Sequence, residues 1–138
     1  MLDVNVWTNH LIGRDRELAA LGSLLDEAVV DGATLLLTGE PGVGKTALLA
    51  AAAEMAATAG FEVIRAGGVE YETDVSFAGL HQLVGPLSGE LHRLPRSSRV
   101  AMEVALGLGS GPAPERLAVL NASLALFRQA ASRGPLLI

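Results

Sequence analysis

The sequence predicts an α/β fold built on a parallel sheet, and three observations support this prediction. Two short apolar segments, residues 34–38 and 61–66, flank a strong helix former over residues 46–59. A strand, a helix and a strand in this order form a βαβ unit, whose two strands run parallel. Half of the 138 residues are hydrophobic and only 18% are charged, so the chain can bury a core and is not disordered.

The remaining elements follow from the spacing of apolar residues. Leu18, Leu21 and Leu25 recur at helical spacing and predict a helix over residues 14–30. The run Leu35-Leu36-Leu37 lies in the 34–38 segment, where we expect a strand buried on both faces. Three more helices are predicted, beginning near Phe77, Arg96 and Glu115 and ending near Leu87, Leu106 and Ser132. Residues 135–138 begin another buried strand.

Composition excludes several classes of function. The net charge of −5 argues against nucleic-acid binding by this segment, because a phosphate backbone calls for a basic surface. There is no cysteine, which excludes disulfides and thiolate metal sites. The N-terminal residues do not resemble a signal peptide, and the longest apolar run, 47–53, is too short to cross a bilayer. We therefore expect a soluble, cytoplasmic protein without a membrane partner.

A glycine-rich segment between the first strand and the second helix carries the clearest chemical signal. It matches the phosphate-binding motif G-x-x-x-x-G-K-[ST], the Walker A loop, at every fixed position, and it reads Gly39, Glu40, Pro41, Gly42, Val43, Gly44, Lys45, Thr46. Glycines let backbone N–H groups approach phosphate oxygens without a side chain in the way, and the following helix adds its positive N-terminal end. The sequence therefore predicts binding of a nucleoside triphosphate.

Two side chains of this loop have predicted roles. Lys45 is the only lysine in the chain, and the ammonium group at this position of the motif reaches the β- and γ-phosphates. The hydroxyl of Thr46 is the expected Mg²⁺ ligand. The motif therefore predicts a nucleoside triphosphate and Mg²⁺ as the cofactors.

The acid that completes such a site, the Walker B residue at the end of an apolar strand, has no clear candidate in the sequence. Residues 28–31 end in Asp31 but belong to the first predicted helix. The better candidate is the strand over 135–138, whose acid would fall beyond Ile138. We expect one incomplete domain that binds nucleotide without the machinery to hydrolyse it. Its parts are an arm and helix (1–32), the βαβ unit (33–68), a helical segment (69–134) and the start of the Walker B strand (135–138).

Two further motifs resemble known families. The segment Leu11-Ile12-Gly13-Arg14-Asp15-Arg16-Glu17-Leu18 resembles the opening motif of AAA-like and STAND-type signalling ATPases. The segment Phe77-Ala78-Gly79-Leu80-His81-Gln82-Leu83 is similar to one found in the large ATP-binding LuxR-type transcriptional regulators. Residues 105–108 and 135–137 follow the same family's order. The resemblance extends from about residue 11 to the end of the chain.

The resemblance implies a P-loop NTPase core of three layers, with a parallel sheet, followed by a helical segment. It places Ile12, Gly13 and Arg14 near the adenine as base-side contacts, and it favours ATP over GTP. It also implies that the domain is an ATP-binding switch of a longer transcriptional regulator. Such a regulator contacts DNA through a separate C-terminal domain and can associate with itself.

Some residues and alternative functions stay open at this stage. Glu70 and Glu72 follow the second strand, where they could orient water or Mg²⁺, although a solvated loop is favoured. His81 is interpreted as a partly buried structural histidine. The alternatives are a small-molecule or nucleotide kinase and an AAA-type motor. The order of the strands in the sheet distinguishes a kinase from the regulatory ATP-binding domain. In the ATPase order, strand 135–138 lies between strands 34–38 and 61–66.

Overall fold

The structure, a computed structural model, describes residues 11–68 and 77–138 of the chain. Glu70 and Glu72, whose roles the sequence left open, lie outside the described residues. The chain forms two compact units. The first runs up to Val63 and includes Leu137, and the second contains Ile64–Leu136 and Ile138. Among the described helices, none combines the length and the apolar character that a membrane span requires.

The first unit is built on two packed helices, α1 (Asp15–Asp31) and α2 (Lys45–Thr58). Leucines from α1 meet mostly small side chains of α2, and a short strand, β1 (Glu62–Val63), follows α2. A Cβ added at Gly22 would meet the Met55 side chain at 3.5 Å, which is an ordinary van der Waals contact. The buried residues of this core are Leu18, Leu21, Leu25, Leu48, Ala51, Ala52, Met55, Ala56 and Phe61.

The segment before the glycine-rich loop differs from its prediction. Residues 32–40 form no helix or strand, so the strand predicted over 34–38 is absent. The side chains of Leu35 and Leu36 are 49% and 81% exposed rather than buried, and only Leu37 packs against the core of the first unit. A strand is stabilised by ladder hydrogen bonds to a neighbour. The described residues place no such neighbour beside this apolar run.

The second unit is helical. It contains α3 (Ala78–Val84), a 3₁₀ helix (Gly85–Arg93), α4 (Arg96–Ala105) and α5 (Arg116–Ala131). The core of this unit consists of Ile64, Val84, Leu87, Leu91, Leu94, Met102, Leu106, Ala122, Leu126 and Ala130. The helices predicted near Arg96 and Glu115 are confirmed within one residue at each end.

The helix predicted from Phe77 to Leu87 is interrupted. The α-helical part ends at Val84, and the chain continues from Gly85 as a 3₁₀ helix with Pro86 in its first turn. Proline lacks the N–H group that an α-helix uses, and its ring clashes with the carbonyl four residues earlier. The apolar spacing still holds, because both Val84 and Leu87 are buried.

The strand after α5, β2 (Leu136–Leu137), pairs with β1 in a two-stranded parallel sheet. Both strands are shorter than the predicted segments 61–66 and 135–138. The predicted order placed strand 135–138 between the segments 34–38 and 61–66. The pairing agrees with the part of this order that concerns 61–66 and 135–138, since β1 neighbours β2 rather than the segment at 34–38.

A polar cluster around Glu90 joins two elements of the second unit. The Glu90 carboxylate contacts Arg133, lies 3.1 Å from the Nη1 atom of Arg93, and accepts a hydrogen bond from Gln129 at 3.2 Å. Partial burial raises the pKa of Glu90, but the hydrogen bonds from Arg133 and Gln129 and the charges of Arg133 and Arg93 outweigh it. The net result is a pKa below the ordinary value of 4.5.

Replacing Glu90 by glutamine is expected to remove a pH-dependent part of the stability. A carboxyl whose pKa is lower in the folded state stabilises the fold above its unfolded pKa, and this contribution is lost as pH falls through the folded pKa. Urea unfolding at about pH 7 and about pH 4 should therefore show a smaller pH-dependent loss in Glu90→Gln than in the parent protein. Glu115→Gln, at an exposed carboxyl, is the control. The prediction would be contradicted if the free energy of unfolding fell equally in the parent and in Glu90→Gln between the two pH values.

Candidate functional site

The loop between residues 39 and 46 has backbone geometry that glycine permits. Gly39, Gly42 and Gly44 have φ angles of 153°, 84° and 94°, a region that side chains with a Cβ rarely adopt. A Cβ added at Gly39 would lie only 3.1 Å from a methyl of Val43, whereas at Gly42 or Gly44 it would meet nothing within 4 Å. The backbone around Gly42 and Gly44 is therefore open to a ligand.

Lys45 begins α2, and its side chain folds back over the loop. Its Nζ atom donates hydrogen bonds to the carbonyl oxygens of Gly39 at 2.8 Å and Glu40 at 2.9 Å. The only ammonium side chain of the protein is therefore held above the loop that the sequence singled out. Its present partners are neutral carbonyls, which a phosphate can replace with a stronger charge-assisted contact.

The start of α2 provides the second part of the site. Gly44 is the N-cap residue in a left-handed conformation, and its carbonyl accepts the first helical hydrogen bond from Leu48 at 3.1 Å. The side chain of Thr46, the predicted Mg²⁺ ligand, is exposed in the first turn. The N–H groups of a first turn have no partner inside the helix, so this end of α2 attracts an anion.

Arg14, directly before α1, reaches the same loop. Its Nη2 atom donates a hydrogen bond to the carbonyl oxygen of Val43 at 2.6 Å, and its Nη1 atom donates to the Glu17 carboxylate at 2.5 Å. The hydrogen bond from Arg14 is the main reason that the pKa of Glu17 lies below its ordinary value. Arg14 therefore joins the opening motif to the phosphate-binding motif within the first unit.

The other two predicted base-side residues lie just before Arg14. Ile12 is 98% exposed, and Gly13 has a φ of 75° in an exposed turn. Of these three residues, the structure shows a contact with the loop for Arg14.

Sequence reasoning missed the role of Glu17 and the contact between Arg14 and Val43. The spacing of Arg14 and Glu17, three residues apart at a helix start, predicts an ion pair. The contact with Val43 joins residues 29 positions apart and has no local signal.

The motif at residues 77–83 contributes contacts in the second unit. The side-chain amide of Gln82 pairs with the backbone of Gly67, accepting from its N–H at 2.9 Å and donating to its carbonyl at 3.0 Å. His81 is exposed, contrary to the predicted partial burial, and its Nε2 atom lies 3.2 Å from the carbonyl oxygen of Leu106. Over residues 11–68 and 77–138, no group of three histidine or acidic side chains is arranged to hold a metal ion.

A comparison with protein families agrees with this geometry. The family model described as AAA ATPase domain matches residues 10–138, which is nearly the whole chain. The chain belongs to the AAA ATPase domain family. Membership implies a P-loop NTPase fold and nucleotide binding. No curated protein and no solved structure gives a significant match. The resemblance to AAA-type ATPases is therefore confirmed, and the link to LuxR-type regulators stays a prediction.

Proposed function

We propose that this AAA ATPase domain binds ATP together with Mg²⁺ through residues 39–46. The observation that carries the proposal is the position of Lys45. The sole ammonium side chain lies over a loop of glycines with positive φ angles, at the N-terminus of α2. This combination of an open backbone, a helix N-terminus and a cation is complementary to a chain of phosphates.

Each group of the loop has a proposed task. The N–H groups of the loop and of the first turn of α2 bind phosphate oxygens. Lys45 exchanges the carbonyl oxygens of Gly39 and Glu40 for oxygens of the β- and γ-phosphates, and Thr46 binds the Mg²⁺ ion that accompanies the nucleotide. The exposed side of Gly42 and Gly44 leaves room for the phosphates to approach the backbone.

The proposed base-side contacts are Ile12, Gly13 and Arg14. The exposed Ile12 side chain offers an apolar surface for one face of the adenine ring. The guanidinium of Arg14 is engaged by Glu17 and Val43, so we assign its contact with the base to the backbone of Arg14.

The larger biological role rests on resemblance. The motifs at residues 11–18 and 77–83 support a STAND-like regulatory module of a cytoplasmic LuxR-type transcriptional regulator. In that role nucleotide binding switches the state of the regulator, DNA is contacted by another domain, and self-association transmits the signal. The kinase alternative is disfavoured because β1 pairs with β2 rather than with the segment before the loop, and because the family match is to an AAA ATPase domain.

Protection of the single lysine provides a direct test of nucleotide binding. Reductive methylation followed by mass spectrometry should modify Lys45 readily in the ligand-free protein and much more slowly with ATP and Mg²⁺. The N-terminal amine, which has no role in the proposal, is an internal control in the same sample. ATP at a hundredfold excess over Kd should also add about 2.7 kcal/mol to the free energy of unfolding. Equal modification of Lys45 with and without ATP, and an unchanged melting temperature, would exclude the proposed site.

A further inference from the structure

Arg14 holds one peptide unit of the phosphate loop in a defined orientation. Its guanidinium is fixed on one side by the Glu17 carboxylate and donates on the other to the Val43 carbonyl. A guanidinium is planar and presents its N–H groups in a rigid fork, so these two contacts together restrict its position. The Arg14 and Glu17 side chains are 35% and 40% exposed, so the pair is partly shielded from solvent.

The orientation of the peptide unit that follows Val43 determines the direction of the Gly44 N–H group. This unit joins Val43 to Gly44, whose φ angle is 94°, and glycine allows a flanking peptide to rotate at little cost. A peptide unit is planar and trans, so its C=O and N–H groups point in opposite directions. When Arg14 fixes the carbonyl of Val43, the N–H of Gly44 is therefore directed away from Arg14.

The framework that holds Arg14 is rigid. Arg14 opens α1, where its carbonyl accepts the hydrogen bond of Leu18 at 2.9 Å. Leu18 is fully buried in the core that α1 shares with α2, and Leu48 in the first turn of α2 belongs to the same core. The packing of the two helices thus fixes the position of Arg14 relative to the loop.

We propose that Arg14 is a positioning residue that orients the N–H of Gly44 for a phosphate oxygen, so that it strengthens binding of the triphosphate whatever base is attached. This inference rests on the proposed phosphate site at residues 39–46. It differs from a contact with the base in one measurable respect. A residue that orients the loop affects a ligand that has no base at all, and a base contact does not.

The experiment compares ATP with inorganic tripolyphosphate, both with Mg²⁺, by calorimetry on the full chain. Arg14→Ala is expected to weaken both ligands by the same factor, roughly tenfold for the loss of one bond that orients a donor. Arg16→Ala removes an exposed arginine of the same turn and should change neither affinity. Arg14→Lys retains the charge but lacks the fork, and its affinities should lie between those of the parent and Arg14→Ala.

A paired variant, which carries two substitutions, tests whether a change in charge alone explains the loss of affinity. Arg14→Ala leaves the Glu17 carboxylate without this partner, and its negative charge repels phosphate. Arg14→Ala combined with Glu17→Ala removes both charges, and the positioning role predicts that the loss of affinity persists. Recovery of the parent affinity in the paired variant would overturn the proposal in favour of a charge effect.

The remaining outcomes are also distinct. A loss of ATP affinity with unchanged tripolyphosphate affinity would assign Arg14 to the base and overturn the positioning role. Unchanged affinities for both ligands in Arg14→Ala would overturn it as well, while the phosphate site would stand. If the parent protein bound neither ligand, the proposed function itself would fail. Should Arg14→Ala not fold, Arg14→Lys supplies the same comparison, with an equal loss for the two ligands supporting the proposal and unequal or absent losses overturning it.

Discussion

Replacing Lys45 by alanine is expected to abolish most of the affinity for ATP while leaving the melting temperature of the ligand-free protein nearly unchanged. Within the described part of the chain, the Lys45 ammonium donates hydrogen bonds to the loop carbonyls of Gly39 and Glu40, and Lys45 is not part of the core of the first unit. Loss of one charge-assisted contact with phosphate should cost about 1.5–3 kcal/mol, or about 10- to 150-fold in Kd.

The measurement is calorimetric titration with ATP at a fixed Mg²⁺ concentration. Arg116→Ala is the matched control, since it removes an exposed cation outside the loop and should leave the affinity unchanged. The melting temperatures of both variants without ligand show whether the fold is retained. If Lys45→Ala bound ATP as tightly as the parent protein, the loop would not be the phosphate site.

The largest expected change in stability follows from Leu126→Ala in α5. Leu126 is fully buried in the core of the second unit, and deleting three of its side-chain carbons leaves a cavity that packed neighbours fill only partly. The free energy of unfolding should fall by about 2–5 kcal/mol.

A leucine of the same helix supplies the control for this variant. Leu120 is 64% exposed, so Leu120→Ala makes the same chemical change without opening a cavity and should stay within about 0.5 kcal/mol of the parent protein. Urea unfolding followed by circular dichroism measures both. Similar losses of stability in the two variants would show that the described core does not carry the stability of this unit.

Most of the elements that depend on local sequence were predicted correctly, with the exception of the helix from Phe77 to Leu87, whose α-helical part ends at Val84. The helices α1, α2, α4 and α5 follow from apolar spacing and from flanking glycine or proline, and each lies within about two residues of its prediction. The loop at residues 39–46 was identified in the same way, because its glycines and its lysine are fixed by position in a short motif. A helix and a turn satisfy most of their hydrogen bonds with near neighbours in sequence, so a single chain segment contains the information.

The tertiary structure decided the features that depend on distant partners. The run Leu35-Leu36-Leu37 has the composition of a buried strand, but a strand needs a neighbour to accept its hydrogen bonds, and composition does not supply one. The bond from Arg14 to the carbonyl of Val43 joins segments far apart in sequence. The pairing of β1 with β2 does so too, and it was expected only from the strand order of P-loop ATPases. The sequence by itself thus predicted which loop binds phosphate. Only the tertiary structure revealed that Arg14 contacts the loop, because this hydrogen bond depends on how α1 packs against α2.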